Sequence, residues 1–276
     1  MKVGVLGGLG PKATADFMDL VIDNTDVTCD QEHVDMIVSN HATIPDRTAY
    51  ILDNTKDNPV PYLIKDAKLL ESCGCNFLVM PCNTSHFMYD EISKSVNIPL
   101  VNMPYEVSKI VNSNPRIHKV GIMATLGTLK SKVYERYLEK EIYYPEDSVN
   151  DEVMDLIYNK VKKGISVSKK EFYDVANKYF LAGCDLIITG CTELSVIVRD
   201  NDLYSDNRII DSLKVLADKT IIDAGKKLKW QGKLCYFFIL CYYKKTRGEY
   251  AQEDIIHLFI IRSNLNSLFH ISKSKL

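Results

Sequence analysis

The sequence predicts an α/β protein of two similar, doubly wound parallel-sheet lobes facing each other across a cleft, followed by a C-terminal extension. Three observations carry that prediction. First, short apolar runs without polar alternation (VGVLG at 3–7, NFLVMP at 76–81, VGIMA at 120–124, DLIITG at 185–190) read as strands buried on both faces. Second, helix-like stretches alternate with these strands, the pattern of parallel sheets covered on both sides. Third, the chain repeats itself. KVGVLGGLGPKAT at 2–14 aligns with KVGIMATLGTLKS at 119–131, an offset of 117, and CNFLVMPCNT at 75–84 aligns with CDLIITGCTE at 184–193, an offset of 109. Two matches in the same order and at nearly the same offset mark an internal duplication, whose halves face each other about a pseudo-twofold axis.

In chain order, the first run leads into a glycine turn and a helix. HVDMIVSNH at 33–41 reads as a second strand, and KDAKLLESCG at 65–74 as a helix closing on Gly74. The strand ending at Cys82 follows. The second half has the same grammar, with EFYDVANKYFLAG at 171–183 as the matching helix closing on Gly183. The expected boundaries are a first lobe over 1–102 with 208–230 returning to it, a second lobe over 103–207, and an extension over 231–276. That extension has no repeat partner and is rich in aromatic residues.

Of the 276 residues 46% are hydrophobic and 25% charged, enough to bury a core. The net charge of −2 gives no footprint for nucleic acid or an anionic membrane. The longest apolar run, LCYFFILCYY at 234–243, is about half of a membrane span. Met1-Lys2 runs directly into a strand rather than a signal sequence. Eight cysteines without secretion signals then point to a reducing, cytoplasmic compartment. Four of them, Cys29, Cys73, Cys75 and Cys184, are expected to be small buried hydrophobes.

Cys82 and Cys191 differ from those four. Each follows an apolar strand at its carboxyl end, where open parallel sheets bind ligands. Each precedes polar residues suited to a helix N-terminus, which lowers a thiol pKa and attracts carboxylates. If the lobes face each other, the two thiols become opposing walls of one cleft. Such a pair suits proton transfer at a carbon, one sulfur removing a proton as thiolate and the other delivering one as thiol. Reversal needs only an exchange of roles, which fits inversion of a stereocentre.

GVLGGLGPKAT at 4–14, HATIPDRT at 41–48, PCNTSH at 81–86 and GCTEL at 190–194 together resemble the aspartate/glutamate racemase family, closest to its aspartate racemase branch. The resemblance covers roughly 1–229. It implies a racemase that needs no pyridoxal cofactor, with Cys82 and Cys191 as its acid/base pair and a homodimeric assembly. It further implies that Arg47 and Lys162 hold the substrate's side-chain carboxylate, a planar guanidinium being able to grip it bidentately. Asn83, Thr84 and Ser85 would hold the α-carboxylate, with Thr192 as the equivalent after the second cysteine and Thr125 as a further contact.

His86, four residues after Cys82, pairs with too few other ligands to make a metal site, and no metal is expected. Glu193 could tune Cys191 or cap a helix. Three other readings stay open: a dinucleotide enzyme, since GLGPKA at 8–13 fits G-x-G-x-x-A although the second strand ends in Asn40 and His41 rather than an acid; a glutamate, broad-specificity or hydantoin racemase of the same fold; and a non-catalytic amino-acid-binding regulator.

Overall fold

The computed structural model describes residues 1–229; the extension at 231–276 lies outside the described residues. Among the described residues, seven strands form two all-parallel sheets. In the first, β1 (Lys2–Gly7) lies between β2 (Asp35–Asn40) and β3 (Phe77–Val79). In the second, β4 (Lys119–Met123) lies between β5 (Glu141–Tyr143) and β6 (Leu186–Thr189), with β7 (Ile209–Asp211) beyond β6. A parallel bridge from Leu78 to Leu100 stands where β7 pairs in the second sheet. The two halves therefore share one strand order. β3 and β6 are buried along their whole length, the property that their unbroken apolar runs encode.

The duplication also explains Cys75 and Cys184. A Cβ on Gly4 of β1 would lie 3.2 Å from the Cys75 sulfur, and one on Gly121 of β4 would lie 3.3 Å from that of Cys184. In each lobe a glycine in the central strand makes room for the thiol at the foot of the next strand. Cys29 and Cys73, by contrast, are exposed, which corrects the expectation that all four pack in the core. Cys73 ends a helix at its solvent-facing cap, and Cys29 lies in the loop that leads to β2.

Helix α1 (Pro11–Asn24) follows β1 with Pro11 in its first turn, where the missing N–H costs nothing. A short α2 (Arg47–Leu52) is capped by Asp46. α3 (Val60–Ser72) starts five residues earlier than periodicity alone implied, because Pro61 is tolerated in a first turn. It closes on Gly74 at φ 76°, as α8 (Lys169–Leu181) closes on Gly183 at φ 86°. Between these, α4 (Tyr89–Ser93), α5 (Met103–Ser113), α6 (Leu126–Ser131) and α7 (Asp147–Met154) follow in order, with α9 (Thr192–Asp200) and α10 (Ser212–Asp223) completing the series.

The last helix of each half covers the sheet of the other half. On α5, Val107, Ile110 and Val111 pack with Val120 and Ile122 of β4. On α10, Leu213, Leu216 and Ile221 pack with Val3, Val5 and Phe77 of the first sheet. The two helices also touch each other. The boundary expected at 208 differs by one strand. Ile209–Asp211 remains hydrogen-bonded to β6, so the chain leaves the second sheet only at Ser212, where Asp211 caps α10.

Candidate active site

Both conspicuous cysteines lie just past the carboxyl ends of their strands and line the same cleft, together with Arg47, Asn83, Thr84, Thr125, Lys162 and Thr192. Eight of the nine site residues expected from sequence thus converge there. Ser85 does not. It is fully buried away from the cleft, and its hydroxyl has no hydrogen-bond partner. The reason is local geometry: the chain after Cys82 turns as a tight 3₁₀ segment, Thr84–Met88, which swings Ser85 inward.

The two cysteine turns are related but not equivalent. Cys191 is the N-cap residue of α9, a two-and-a-half-turn helix that begins at the cleft. Cys82 precedes only the 3₁₀ turn. Residues that follow the cysteines do not cap with their side chains. Asn83 donates to Ser212 Oγ at 2.9 Å and accepts from the Tyr134 hydroxyl at 2.5 Å, so its amide ties the two lobes together behind the cleft. The Asn83 side-chain amide is therefore spent within the protein. Thr84, Thr125 and Thr128 form a closed hydroxyl triangle with sides of 2.9–3.1 Å, again across the lobe boundary.

Glu193 decides the electrostatics of the second wall. The Cys191 thiol donates to its Oε2 at 2.9 Å, and Lys162 lies 3.9 Å from its Oε1. Burial and the neighbouring Glu193 charge push the Cys191 thiol well above its ordinary range, with Lys162 opposing. Both effects favour the thiol form of Cys191 over its thiolate. The Lys162 ammonium sits 4.0 Å above the Tyr158 ring. Burial works against its charge, but the pull of Glu193, Tyr158, Cys191 and Asp46 prevails and raises its pKa, so it stays cationic.

Arg47 is committed on two sides. Its guanidinium donates to the carbonyls of Leu9 (2.6 Å), Pro45 (3.1 Å) and Ile44 (3.2 Å), stapling the glycine turn of the first lobe to the loop before α2. Its Nε is buried and has no partner, one donor left over in a residue that lines the cleft.

The remaining lining residues, Leu9, Asp46, Thr48, Tyr158 and Glu193, were not singled out as contacts by sequence. Asp46 had a visible signal, as the acid beside Arg47 in the PDRT stretch. Tyr158 had none. It reaches the cleft because α7 continues into a π-helical turn, Asp155–Lys160, whose register nothing in the sequence announces.

His86 is a structural histidine. Its Nδ1–H donates to the Cys82 carbonyl at 2.8 Å, and its Nε2 accepts from the Met103 N–H at 3.1 Å. Burial holds its pKa down at about 4. Among the described residues, no group of three or more His, Cys, Asp or Glu is placed to hold a metal. None of their helices is long and apolar enough to cross a membrane.

With this geometry in view, the family model for Asp/Glu/Hydantoin racemase matches residues 6–220. The chain belongs to that family. A broad specificity amino-acid racemase, RacX of Bacillus subtilis strain 168, is 26% identical over 230 residues, covering 79% of this chain and 96% of its own. The structure of an aspartate racemase from Picrophilus torridus superposes with a TM-score of 0.71 at 30% identity, covering 83% of this chain and 96% of its own. A glutamate racemase from Thermus thermophilus, at 16% identity and a TM-score of 0.52 over 81% of this chain and 80% of its own, shares the fold. Membership in the racemase family makes this protein an isomerase and retires the dinucleotide and non-catalytic readings.

The cavity between the walls is small, ≈ 20 Å³, about the room of one water molecule.

Proposed function

We propose that this protein interconverts L- and D-aspartate by two-base proton transfer between Cys82 and Cys191, without a cofactor. The observation that carries the proposal is the presence of both thiols in one cleft, each delivered by the matching turn of a duplicated lobe. One thiolate takes the Cα proton while the opposite thiol returns one to the other face. The resting protonation of Cys191 supports Cys82 as base and Cys191 as acid in the starting state. Arg47 Nε and the Lys162 ammonium supply donors for the side-chain carboxylate. The backbone at Asn83, the positive end of the α9 helix and the Thr84–Thr125 hydroxyls support binding of the α-carboxylate. Closure over the substrate removes water and strengthens each of these contacts.

Aspartate is preferred over glutamate because the chain resembles the Picrophilus aspartate racemase over most of its length. Six described cysteines, all free, support a cytoplasmic setting. A homodimer is part of the same reading and is checked by sedimentation of the intact chain. The deciding experiment incubates each enantiomer of aspartate and glutamate with the protein in deuterated water, followed by chiral chromatography and Cα deuterium analysis. Racemisation of aspartate with solvent deuterium at Cα is expected. Racemisation of glutamate alone, or of neither, rejects the substrate assignment.

A further inference from the structure

Two helices that meet across the lobe boundary keep a constant register. Gly10, the N-cap of α1, faces Glu193 on α9, where a Cβ would lie 3.2 Å from its Oε1. Six residues further along each helix, the Arg199 guanidinium donates to Oδ1 of Asp16. Both pairs are separated by 183 residues in sequence, so α1 and α9 run parallel, from the cleft to an ion pair about 9 Å behind it. At the cleft end the helices meet through a residue without a side chain; at the far end they meet through a buried charge. Asp16 is closed off from solvent. Lys12 reaches its Oδ1 from the surface at 3.1 Å, and its Oδ2 has no hydrogen-bond partner among the described residues. Asp19, also on α1, lies 3.8 Å from the Arg199 guanidinium. Phe17, Leu20 and Val21 seat α1 on the sheet that leads to Cys82. Ser195 and Asn201 tie α9 to Asp211 and Val167 of its own lobe, so a hold on Arg199 is a hold on the wall that carries Cys191.

The duplication supplies a comparison. The offsets of 117 and 109 carry Asp16 to Val133 and Arg199 to Asp90. Val133 is a buried apolar side chain, and Asp90 pairs instead with Arg136 at 3.5 Å, both side chains exposed. The fold therefore accepts an apolar residue at the place of Asp16, and well-packed apolar residues are often at least as stable as a buried ion pair. What the ion pair adds is position. Sliding α9 along α1, or parting their far ends, strands a buried carboxylate, which costs far more than parting an apolar contact. We propose that the Asp16–Arg199 pair is a clasp that sets the spacing of the Cys82 and Cys191 walls. Both are positioning residues, and their effect on catalysis rests on the two-thiol racemase reading given above.

The test is peptide-resolved alkylation of the native protein with iodoacetamide, alongside aspartate kinetics. Arg199→Met leaves the buried carboxylate to Lys12 alone and is expected to destabilise the fold. Asp16→Val combined with Arg199→Met removes both charges and is expected to keep the stability of wild type. In that double variant Cys82 and Cys191 are expected to react at least about five-fold faster than in wild type, with Cys75 and Cys184, buried at the other ends of the strands, within about two-fold of it. The kcat for aspartate is expected to fall about ten-fold, with a smaller change in KM. Arg136→Met, which removes the exposed pair, is expected to leave all four thiols within about two-fold of wild type. Equal acceleration of all four thiols in the double variant marks general loosening and overturns the clasp. So does a lack of acceleration at Cys82 and Cys191, an unchanged kcat, or an equal opening in Arg136→Met. A wild-type protein that racemises neither aspartate nor glutamate rejects the proposed function instead, and the alkylation pattern still judges the clasp.

Discussion

The Cys191 thiol donates to the Glu193 carboxylate across 2.9 Å, whereas the residue at the matching place after Cys82 is Thr84, a neutral hydroxyl bonded to Thr125 and Thr128. The duplication thus places two like thiols on two walls and gives them unlike neighbours. A fixed negative charge beside the Cys191 sulfur opposes its thiolate.

Glu193→Gln removes that charge and leaves burial in place, so the Cys191 pKa moves down without reaching its ordinary range. In the direction that uses Cys191 as base, the rate rises with pH as the thiolate forms. The substitution is expected to shift that rise to lower pH and to leave the opposite direction little changed. Initial rates for each aspartate enantiomer across pH check this, and identical profiles for wild type and variant refute it.

Arg47→Lys tests the double duty of the guanidinium. A lysine cannot reach the Leu9, Ile44 and Pro45 carbonyls together from one planar fork. A loss of about 2 kcal/mol is expected, lowering the melting temperature by roughly 4–8 °C, together with a higher KM for aspartate. An unchanged melting temperature would show that the staple contributes little.

Gly127→Ala probes the seam between the lobes. A Cβ there would lie 2.7 Å from Thr48 Oγ1 and 2.9 Å from its Cα, and backbone on one side cannot yield without moving α2. The expected cost is about 1–3 kcal/mol. Because α2 carries Arg47 and is capped by Asp46, KM should rise more than chemical denaturation alone accounts for. Denaturant unfolding and steady-state kinetics, measured together, separate the two effects.

His86 makes stability sensitive to acid. An imidazole has an ordinary pKa near 6.5 when unfolded and about 4 in the folded protein, so between those values the unfolded chain binds the extra proton. The stability it contributes is intact above pH 6.5 and declines as pH falls toward 4, by about 3 kcal/mol in full. Urea unfolding at a series of pH values should show that decline, and His86→Gln should flatten it. An equally steep decline in the variant would assign the acid sensitivity elsewhere.

Much of this molecule was legible in the chain because the relevant signals are local. Unbroken apolar runs mark strands buried on both faces, Gly74 and Gly183 mark helix ends, and the repeated cysteine segments mark matching turns at matching strand ends. Ser85 was misplaced because a 3₁₀ turn and an α-helical turn project the same side chain differently, and neighbouring residues do not reveal which forms. Tyr158 depended on a π-helical turn, and Glu193 on which of several polar groups its side chain meets in space.

By itself, the sequence determined the doubled α/β architecture, the location of the two thiols at strand ends, and most of the residues that gather around them. The architecture and the thiol positions follow from hydrophobic periodicity and turn chemistry, which act over a few residues; the residues around them follow from the resemblance of the motifs to the aspartate/glutamate racemase family. Only the tertiary structure decided that the two thiols have unequal surroundings, that the Arg47 guanidinium is largely spent on backbone carbonyls, and that each half's last helix covers the other half's sheet. These depend on groups far apart in the chain meeting at distances of a few ångströms, where one carboxylate or one hydroxyl changes the cost of a charge.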